Sequence, residues 1–354
     1  MTLKFTVLES PVFVTTSYWM EPIGFSPDRF NNAIILTDSN VVGHCLPRLL
    51  AMVPQLSDTE VITVEPGVKN LNTVEHAISC LMDMGANRDT LLVCLGGGTI
   101  GDLGGFVASV FKRGMPYVNI PTTLLAMADS CVGGKTALDF AGVRNLLGTF
   151  KPADAVIIDP EYLQSLDDLA IRSGMAEIVK HAAIGGDKLW QSVTSPSWIP
   201  EWLLTINASL DVKKRFVEAD PFDRTERKAL NFGHTAAHAI EAVTADMEQP
   251  ITHGEAVAFG LLAEGWLSVR SLGLPESDFN LLLEAVTRHC HVATIDDPDR
   301  EQMRYSLSHD KKNHQRTLRL TLLENIGQPR VDVECTMDEV IEAIENTIAL
   351  CLAE

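Results

Sequence analysis

The sequence predicts an α/β N-terminal domain with a doubly wound, mostly parallel sheet, followed by a mostly α-helical C-terminal domain. Two observations carry this reading. As far as Asp159-Pro160, short β-branched apolar runs alternate with helically spaced segments, the pattern of strands joined by crossover helices. Beyond Pro160 the period changes to long segments of 3.6-residue spacing. The change of period sets the domains at 1–160 and 161–354, and 354 residues is a length that suits two domains.

In chain order, strands are expected at 33–36, 61–64, 91–95, 117–120 and 155–158, with helices at 73–84 and 103–112. The second domain should hold helices at 169–184, 202–219, 227–243, 253–272, 278–288 and 337–350. One exception is a small hairpin, 317–323 with 331–333, turning through Gly327-Gln328-Pro329.

Composition narrows the function. Hydrophobic residues make up 46% and charged ones 21%, ordinary for a folded chain. A net charge of −19 argues against nucleic acid or an anionic membrane as partner. The acid is uneven: residues 1–150 hold 9 basic and 13 acidic side chains, the remainder 19 and 34. Seven scattered cysteines without a C-x-x-C pair suit a reducing cytosol. No basic-then-apolar leader opens the chain and no run of 18 apolar residues occurs, so a cytoplasmic protein is expected.

Three segments could carry chemistry. Gly96-Gly97-Gly98-Thr99-Ile100-Gly101-Asp102 follows a strand and opens a helix, where glycines let backbone approach a diphosphate. It satisfies G-x-G-x-x-G, yet the next strand ends in Pro121-Thr122-Thr123 without the acid of a Rossmann site, and a tight turn without ligand stays open. Asp129-Ser130-Cys131-Val132-Gly133-Gly134-Lys135-Thr136 contains G-K-T, but the first glycine of a Walker loop is Asp129 here. What remains is a lysine after two glycines, with Arg144 and Asn145 further on, able to hold an oxyanion or simply solvated.

The strongest feature is Asn231-Phe232-Gly233-His234-Thr235-Ala236-Ala237-His238, with His253-Gly254-Glu255 beyond it. On a helix, His234 and His238 share a face. A zincin needs Glu after the first histidine, and Thr235 stands there instead, which excludes that peptidase class. Metal binding is favoured over a structural role, since a catalytic ion takes three protein ligands and keeps an open position. Glu177 could complete two histidines; with Lys180 three residues on, it reads on its own as a surface ion pair. Arg227 and Asn231, four apart on the expected helix, would project together toward an anion.

Taken together, from 38 to 313 and in order, these motifs resemble the 3-dehydroquinate synthase family among the sugar phosphate cyclases. The matching segments are Gly96 to Asp102, Pro121-Thr122-Thr123, Asp129 to Thr136, Asn145-Leu146-Leu147-Gly148, Glu177-Ile178-Val179-Lys180, Asn231 to His238, His253-Gly254-Glu255 and Asp310-Lys311-Lys312. The resemblance implies a phosphate-eliminating carbon–oxygen lyase of the shikimate pathway, serving aromatic amino acid biosynthesis. It would turn 3-deoxy-D-arabino-heptulosonate 7-phosphate into 3-dehydroquinate by transient oxidation, elimination, re-reduction and aldol closure, using NAD and a divalent metal, zinc or cobalt.

It further implies Glu177, His234 and His253 as metal ligands, with His238 turned to the substrate. NAD would lie over Gly97, Gly98 and Asp102, touching Thr122, Thr123, Leu125, Asp129 and Arg144, with Asp38 and Asn40 near the adenosine. Lys135, Asn145, Lys180, Lys213, Arg227, Asn231, His238 and one of Lys311 and Lys312 would hold the substrate. Arg113 resembles an arginine that reaches the neighbouring subunit's site, implying a homodimer.

Three departures from the family pattern stand out. Arg144 replaces a lysine, which keeps charge but changes hydrogen-bond geometry. A Gly-Glu-x-x-Lys segment reads Gly67-Val68-Lys69-Asn70-Leu71. The loop between His238 and His253 is longer by a few residues than the family pattern leads one to expect. The alternatives are an inosose- or valiolone-type cyclase, a metal-dependent NAD alcohol dehydrogenase, and a non-catalytic NAD-binding regulator. Arg227, Asn231 and Lys312 match the dehydroquinate branch.

Overall fold

The computed structural model describes all residues except 1, 17–31, 187, 246, 248–249, 293–294, 296–297, 310–316 and 353–354. The chain forms two compact units, Met1–Asp167 with Trp202–Leu210, and Asp168–Glu201 with Asp211–Glu354. The division falls after Asp167 because Pro160–Ser165 is a 3-10 helix whose Tyr162 and Leu163 are buried, so the chain stays with the first unit past the change of period.

Among the described residues of the first unit, seven strands form one sheet in the order β1-β2-β9-β6-β5-β3-β4. These are β1 (Thr2–Val7), β2 (Ser10–Thr15), β3 (Asn32–Asp38), β4 (Glu60–Val64), β5 (Thr90–Gly96), β6 (Tyr117–Pro121) and β9 (Ala155–Ile158). Only β1 with β2 is antiparallel; every other pairing in this sheet is parallel. Parallel strands need covered faces and read as continuous apolar runs. β5, Thr-Leu-Leu-Val-Cys-Leu-Gly, is buried throughout and lies inside the sheet between β6 and β3.

The crossovers are α1 (Ser39–His44) with α2 (Leu46–Met52), α3 (Leu71–Asp83), and α4 (Gly98–Val110). α3 turns Val74, Ala77 and Leu81 inward at helical spacing, and Asn70 caps it by accepting the Thr73 N–H at 3.0 Å. A separate hairpin, β7 (Lys135–Phe140) and β8 (Val143–Phe150), follows a π-helical turn at Ala126–Ser130.

The second unit is helical, with α5 (Asp168–Gly185), α6 (Lys188–Thr194), the latter half of α7 (Trp202–Ala219), α8 (His234–Thr244), α9 (His253–Leu272), α10 (Glu276–His289), α11 (Arg300–His309) and α12 (Met337–Leu352). The hairpin β10 (Thr317–Asn325) and β11 (Gln328–Thr336) completes it. α9 is buried along nearly its whole length, as a helix apolar on all sides must be. Phe259 and Ala263 of α9 pack with Ile240, Met303, Leu320, Ile341 and Ile344. A reciprocal capping box between Thr252 and Glu255 starts α9, and left-handed Gly273 ends it. Among the described residues no helix is long and apolar enough to cross a membrane.

One expected element is broken. The helix expected at 227–243 is instead a 3-10 turn, Glu226–Asn231, an extended Phe232, a left-handed Gly233 at φ 84°, and then α8. Arg227 and Asn231 therefore do not lie on one continuous α-helix. The break follows from close packing, since a Cβ on Gly233 would stand 3.0 Å from the Leu261 backbone nitrogen.

Candidate active site

In the first unit the chain steps from β3 outward to β4, then back across β3 to β5, β6 and β9. Such a reversal leaves a crevice outside the carboxyl ends of the two strands flanking it, here β3 and β5. Asp38 closes β3, Gly97 follows β5, and Thr122 and Thr123 follow β6. Asp38 Oδ1 accepts the N–H groups of Asn40 (2.9 Å) and Val41 (3.1 Å), which fixes the carboxylate at the strand end and leaves Asn40 exposed on the first turn.

Gly97 begins α4 without a side-chain cap, so the helix offers its first backbone N–H groups there. A Cβ on Gly98 would come within 2.9 Å of Ser130 Oγ, and one on Gly97 within 3.1 Å of the Thr123 methyl. The cradle is therefore open only with glycine, which fits a diphosphate lying against backbone. Asp102, one turn on, faces the same side as Gly98 and pairs with Lys69 Nζ at 2.6 Å. Leu125 leads into the π-helical turn and Asp129 lies within it. Lys135, Arg144 and Asn145 are all exposed on the β7–β8 hairpin. Arg113 stands exposed past the far end of α4, in a left-handed conformation at φ 69°; the 13 residues of α4 span about 20 Å at 1.5 Å per residue.

In the second unit Glu177, His234 and His253 converge, their ligand atoms all within 4.8 Å of one another. Glu177 Oε1 lies 3.5 Å from His234 Nε2 and 3.6 Å from His253 Nε2. Bonds of 2.0 to 2.2 Å at tetrahedral angles put donors about 3.4 Å apart, so the set fits a zinc-sized ion. Three helices achieve this through missing side chains. A Cβ on Gly260 would fall 1.8 Å from the Gly233 carbonyl oxygen, and one on Gly254 would fall 2.2 Å from Ser173 Oγ, so α9 meets α8 and α5 at backbone distance.

Both rings are set. His234 Nδ1 lies 3.2 Å from the Phe232 carbonyl and His253 Nδ1 lies 3.3 Å from Glu241 Oε1, acceptors that fix the N–H on Nδ1 and direct Nε2 at Glu177. Burial alone would raise the Glu177 pKa, but the Lys180 ammonium and the two histidines hold it well below the ordinary carboxylate value. Burial and Lys180 lower His234, with Glu177 opposing. His253 is raised to about 9: burial opposes, and Glu177 and Glu241 prevail.

Lys180 Nζ pairs with the second Glu177 oxygen, and both side chains are at most 2% exposed, so this is a buried ion pair and not the surface pair that the i,i+3 spacing suggests. Lys213 and Arg227 are buried too, at 5% and 2%. Burying a cation is costly unless charge or hydrogen bonds meet it, and Lys180 is met by Glu177. Arg227 Nη1 donates to the Pro221 carbonyl at 2.8 Å, and Asp220 Oδ2 accepts the backbone N–H groups of Thr225 (2.6 Å) and Arg227 (3.4 Å). Asn231 ends the same 3-10 turn. His238 is exposed on α8 beside His234, ring centroids 5.9 Å apart, outside the three-residue cluster. Lys311 and Lys312 lie outside the described residues.

Sequence reasoning gave no role to four supporting residues: Lys69, Asp220, Glu241 and Glu264. Glu264, fully buried, accepts the N–H groups of Gly233 (2.7 Å), Thr235 (2.8 Å) and Ala236 (3.1 Å), satisfying the start of the helix that carries His234. Glu241 had a signal, because seven residues after His234 it shares that face of α8.

Residues 60–173 match the family model described as 3-dehydroquinate synthase N-terminal, and 174–313 the one described as 3-dehydroquinate synthase C-terminal. The chain is 36% identical over 326 residues to the 3-dehydroquinate synthase of Parabacteroides distasonis, covering 90% of this chain and 91% of that one. With the synthase of Latilactobacillus sakei it shares 39% over 281 residues, 77% and 76% of the two chains. Among solved structures, a 2-deoxy-scyllo-inosose synthase complexed with carbaglucose-6-phosphate, NAD+ and Co2+ superposes with a TM-score of 0.87 at 24% identity, over 98% of this chain and all of the other. A 2-epi-5-epi-valiolone synthase of Streptomyces hygroscopicus with NAD+ and Zn2+ bound gives 0.84 at 24% identity, over 98% of each chain. A glycerol dehydrogenase of Schizosaccharomyces pombe gives 0.62 at 15% identity, over 91% and 84%.

Proposed function

The chain belongs to the 3-dehydroquinate synthase family, and from that premise we propose that it converts 3-deoxy-D-arabino-heptulosonate 7-phosphate to 3-dehydroquinate and phosphate, as a carbon–oxygen lyase. The observation that carries the assignment is the donor set of Glu177, His234 and His253 in a unit that also buries Lys180, Lys213 and Arg227. A hydride-transferring alcohol dehydrogenase needs no such store of buried cations; a substrate bearing both a phosphate and a carboxylate does.

Glu177, His234 and His253 would hold the divalent metal, and Gly97, Gly98, Asp102, Thr122, Thr123, Leu125, Asp129, Arg144, Asp38 and Asn40 would hold NAD. When bound, the metal would acidify a substrate hydroxyl and NAD would accept a hydride and give it back. The chain's own work is to position and to balance charge. Lys135, Asn145, Lys180, Lys213, Arg227, Asn231, His238 and Lys312 grip the phosphate, hydroxyls and carboxylate. Departing phosphate oxygens can take up the proton released at the neighbouring carbon, so these donors need only fix those oxygens. Arg227, braced by Pro221 and Asp220, presents the planar fork suited to a carboxylate. Arg113, exposed beyond the end of α4 opposite the glycine cradle, would complete the site of a second copy, and the working form proposed is a homodimer in the cytoplasm.

The test is to mix purified protein, the heptulosonate phosphate, NAD and zinc, and to follow phosphate, dehydroquinate and NADH absorbance. One phosphate per dehydroquinate with no growth of NADH is expected. NADH rising in step with product would make the enzyme a dehydrogenase and overturn the proposal.

A further inference from the structure

Lys69, in the loop between β4 and α3, reaches two residues of the proposed site at once. Its Nζ lies 2.6 Å from Asp102 Oδ2 and 2.5 Å from Asn145 Oδ1, with the lysine side chain only 13% exposed. Its backbone joins the same network: the Lys69 carbonyl accepts the Asp139 N–H at 2.8 Å, and Asp139 Oδ1 accepts the Asn145 N–H at 2.8 Å. Asn145 is held by this ring in a left-handed conformation, φ 52°.

We infer that Lys69 is a positioning residue that sets Asn145 for the substrate's anionic group and Asp102 for the dinucleotide; the inference rests on the function proposed above. An ammonium can meet only the oxygen of a carboxamide. Lys69 therefore decides which way the Asn145 amide is flipped, and sends its two N–H donors to the side away from the cation. A phosphate or carboxylate needs donors and is repelled by the oxygen. At Asp102 the effect is one of charge. The carboxylate lies one turn into α4, close to where a diphosphate would rest on the helix start, and Lys69 offsets its repulsion. A single cation thus serves both ends of the first unit's contribution.

The test compares the zinc-loaded full chain with Lys69→Met, which keeps the length and loses the charge, and with Lys69→Arg, which keeps the charge. NAD affinity is measured by titration calorimetry without substrate, and kcat and KM at saturating NAD. Loss of a charge-assisted contact predicts, for Lys69→Met, NAD binding about tenfold weaker and a KM for the sugar phosphate raised about tenfold, with kcat changed far less. Zinc content and Tm should stay unchanged, and Lys69→Arg should restore most of both losses. Wild-type NAD affinity and KM in Lys69→Met would overturn the inference. So would a lowered Tm with no rescue by arginine, which would make Lys69 merely structural. If the wild-type chain bound NAD but made no dehydroquinate, the proposed reaction would fall, while a weaker NAD titration in Lys69→Met would still support the role of Lys69.

Discussion

Glu241 Oε1 lies 3.3 Å from His253 Nδ1, and the opposite nitrogen of that ring lies 3.6 Å from Glu177 Oε1. A carboxylate behind a ligand histidine fixes its tautomer and raises its basicity. Glu241→Gln, whose amide can turn a donor toward the ring, should therefore weaken zinc binding by roughly 10- to 100-fold. Competition with a chelator measures this; unchanged affinity would show that Glu241 does not orient the ring.

The ligand set itself is tested by removal. His234→Ala or His253→Ala leaves two protein ligands where a catalytic zinc takes three, so each should lose the metal and all turnover. His238→Ala should keep stoichiometric zinc while losing activity, because that ring stands outside the cluster. Metal analysis of the three variants decides; loss of zinc from His238→Ala with retention in His253→Ala would reverse the assignment.

Zinc binding should also depend on pH. Glu177 is held ionised well below its ordinary range, and His234 is shifted toward its neutral form, so neither competes for a proton near neutrality. His253, raised to about 9, is protonated below that pH in the metal-free protein and must give up its proton to bind. Affinity should rise about tenfold per pH unit up to about 9 and then level off. A flat profile between pH 7 and 9 would mean that His253 is already neutral.

Much of this was legible in the sequence, for identifiable reasons. The inner strands β3, β5 and β9 of the parallel sheet are nearly continuous apolar runs, and α7 and α9 begin and end at the residues their periodicity marks. What was missed is local. The β7–β8 hairpin turns through Ala141 and Gly142 at φ 51° and 78°, and β1–β2 through Leu8 and Glu9 at 48° and 68°. Such turns want Asn or Gly, and alanine, leucine and glutamate announce none. Lys135 and Asn145 were singled out as residues while the hairpin presenting them was not. The burial of Lys180, Lys213 and Arg227 was hidden for a different reason: long cations are solvated by default, and only tertiary packing reverses that.

Arg227 offers the sharpest test of the substrate. It sits on a 3-10 turn whose backbone is held by Asp220, and its Nη1 is engaged by the Pro221 carbonyl, which fixes the plane of the guanidinium. Lysine at this position keeps the charge but cannot hold a carbonyl and also make two parallel bonds to a carboxylate. Arg227→Lys should therefore lower kcat/KM by the worth of a charged hydrogen bond, ~1.5 to 3 kcal/mol, with zinc content and NAD binding intact. Asp220→Ala, which frees the turn and leaves the guanidinium in place, should raise KM in the same direction by a smaller factor. Steady-state kinetics of the two variants with the heptulosonate phosphate measure both. Wild-type kinetics in Arg227→Lys would mean that no carboxylate is gripped there, and would move the chain toward cyclases acting on sugar phosphates that lack one.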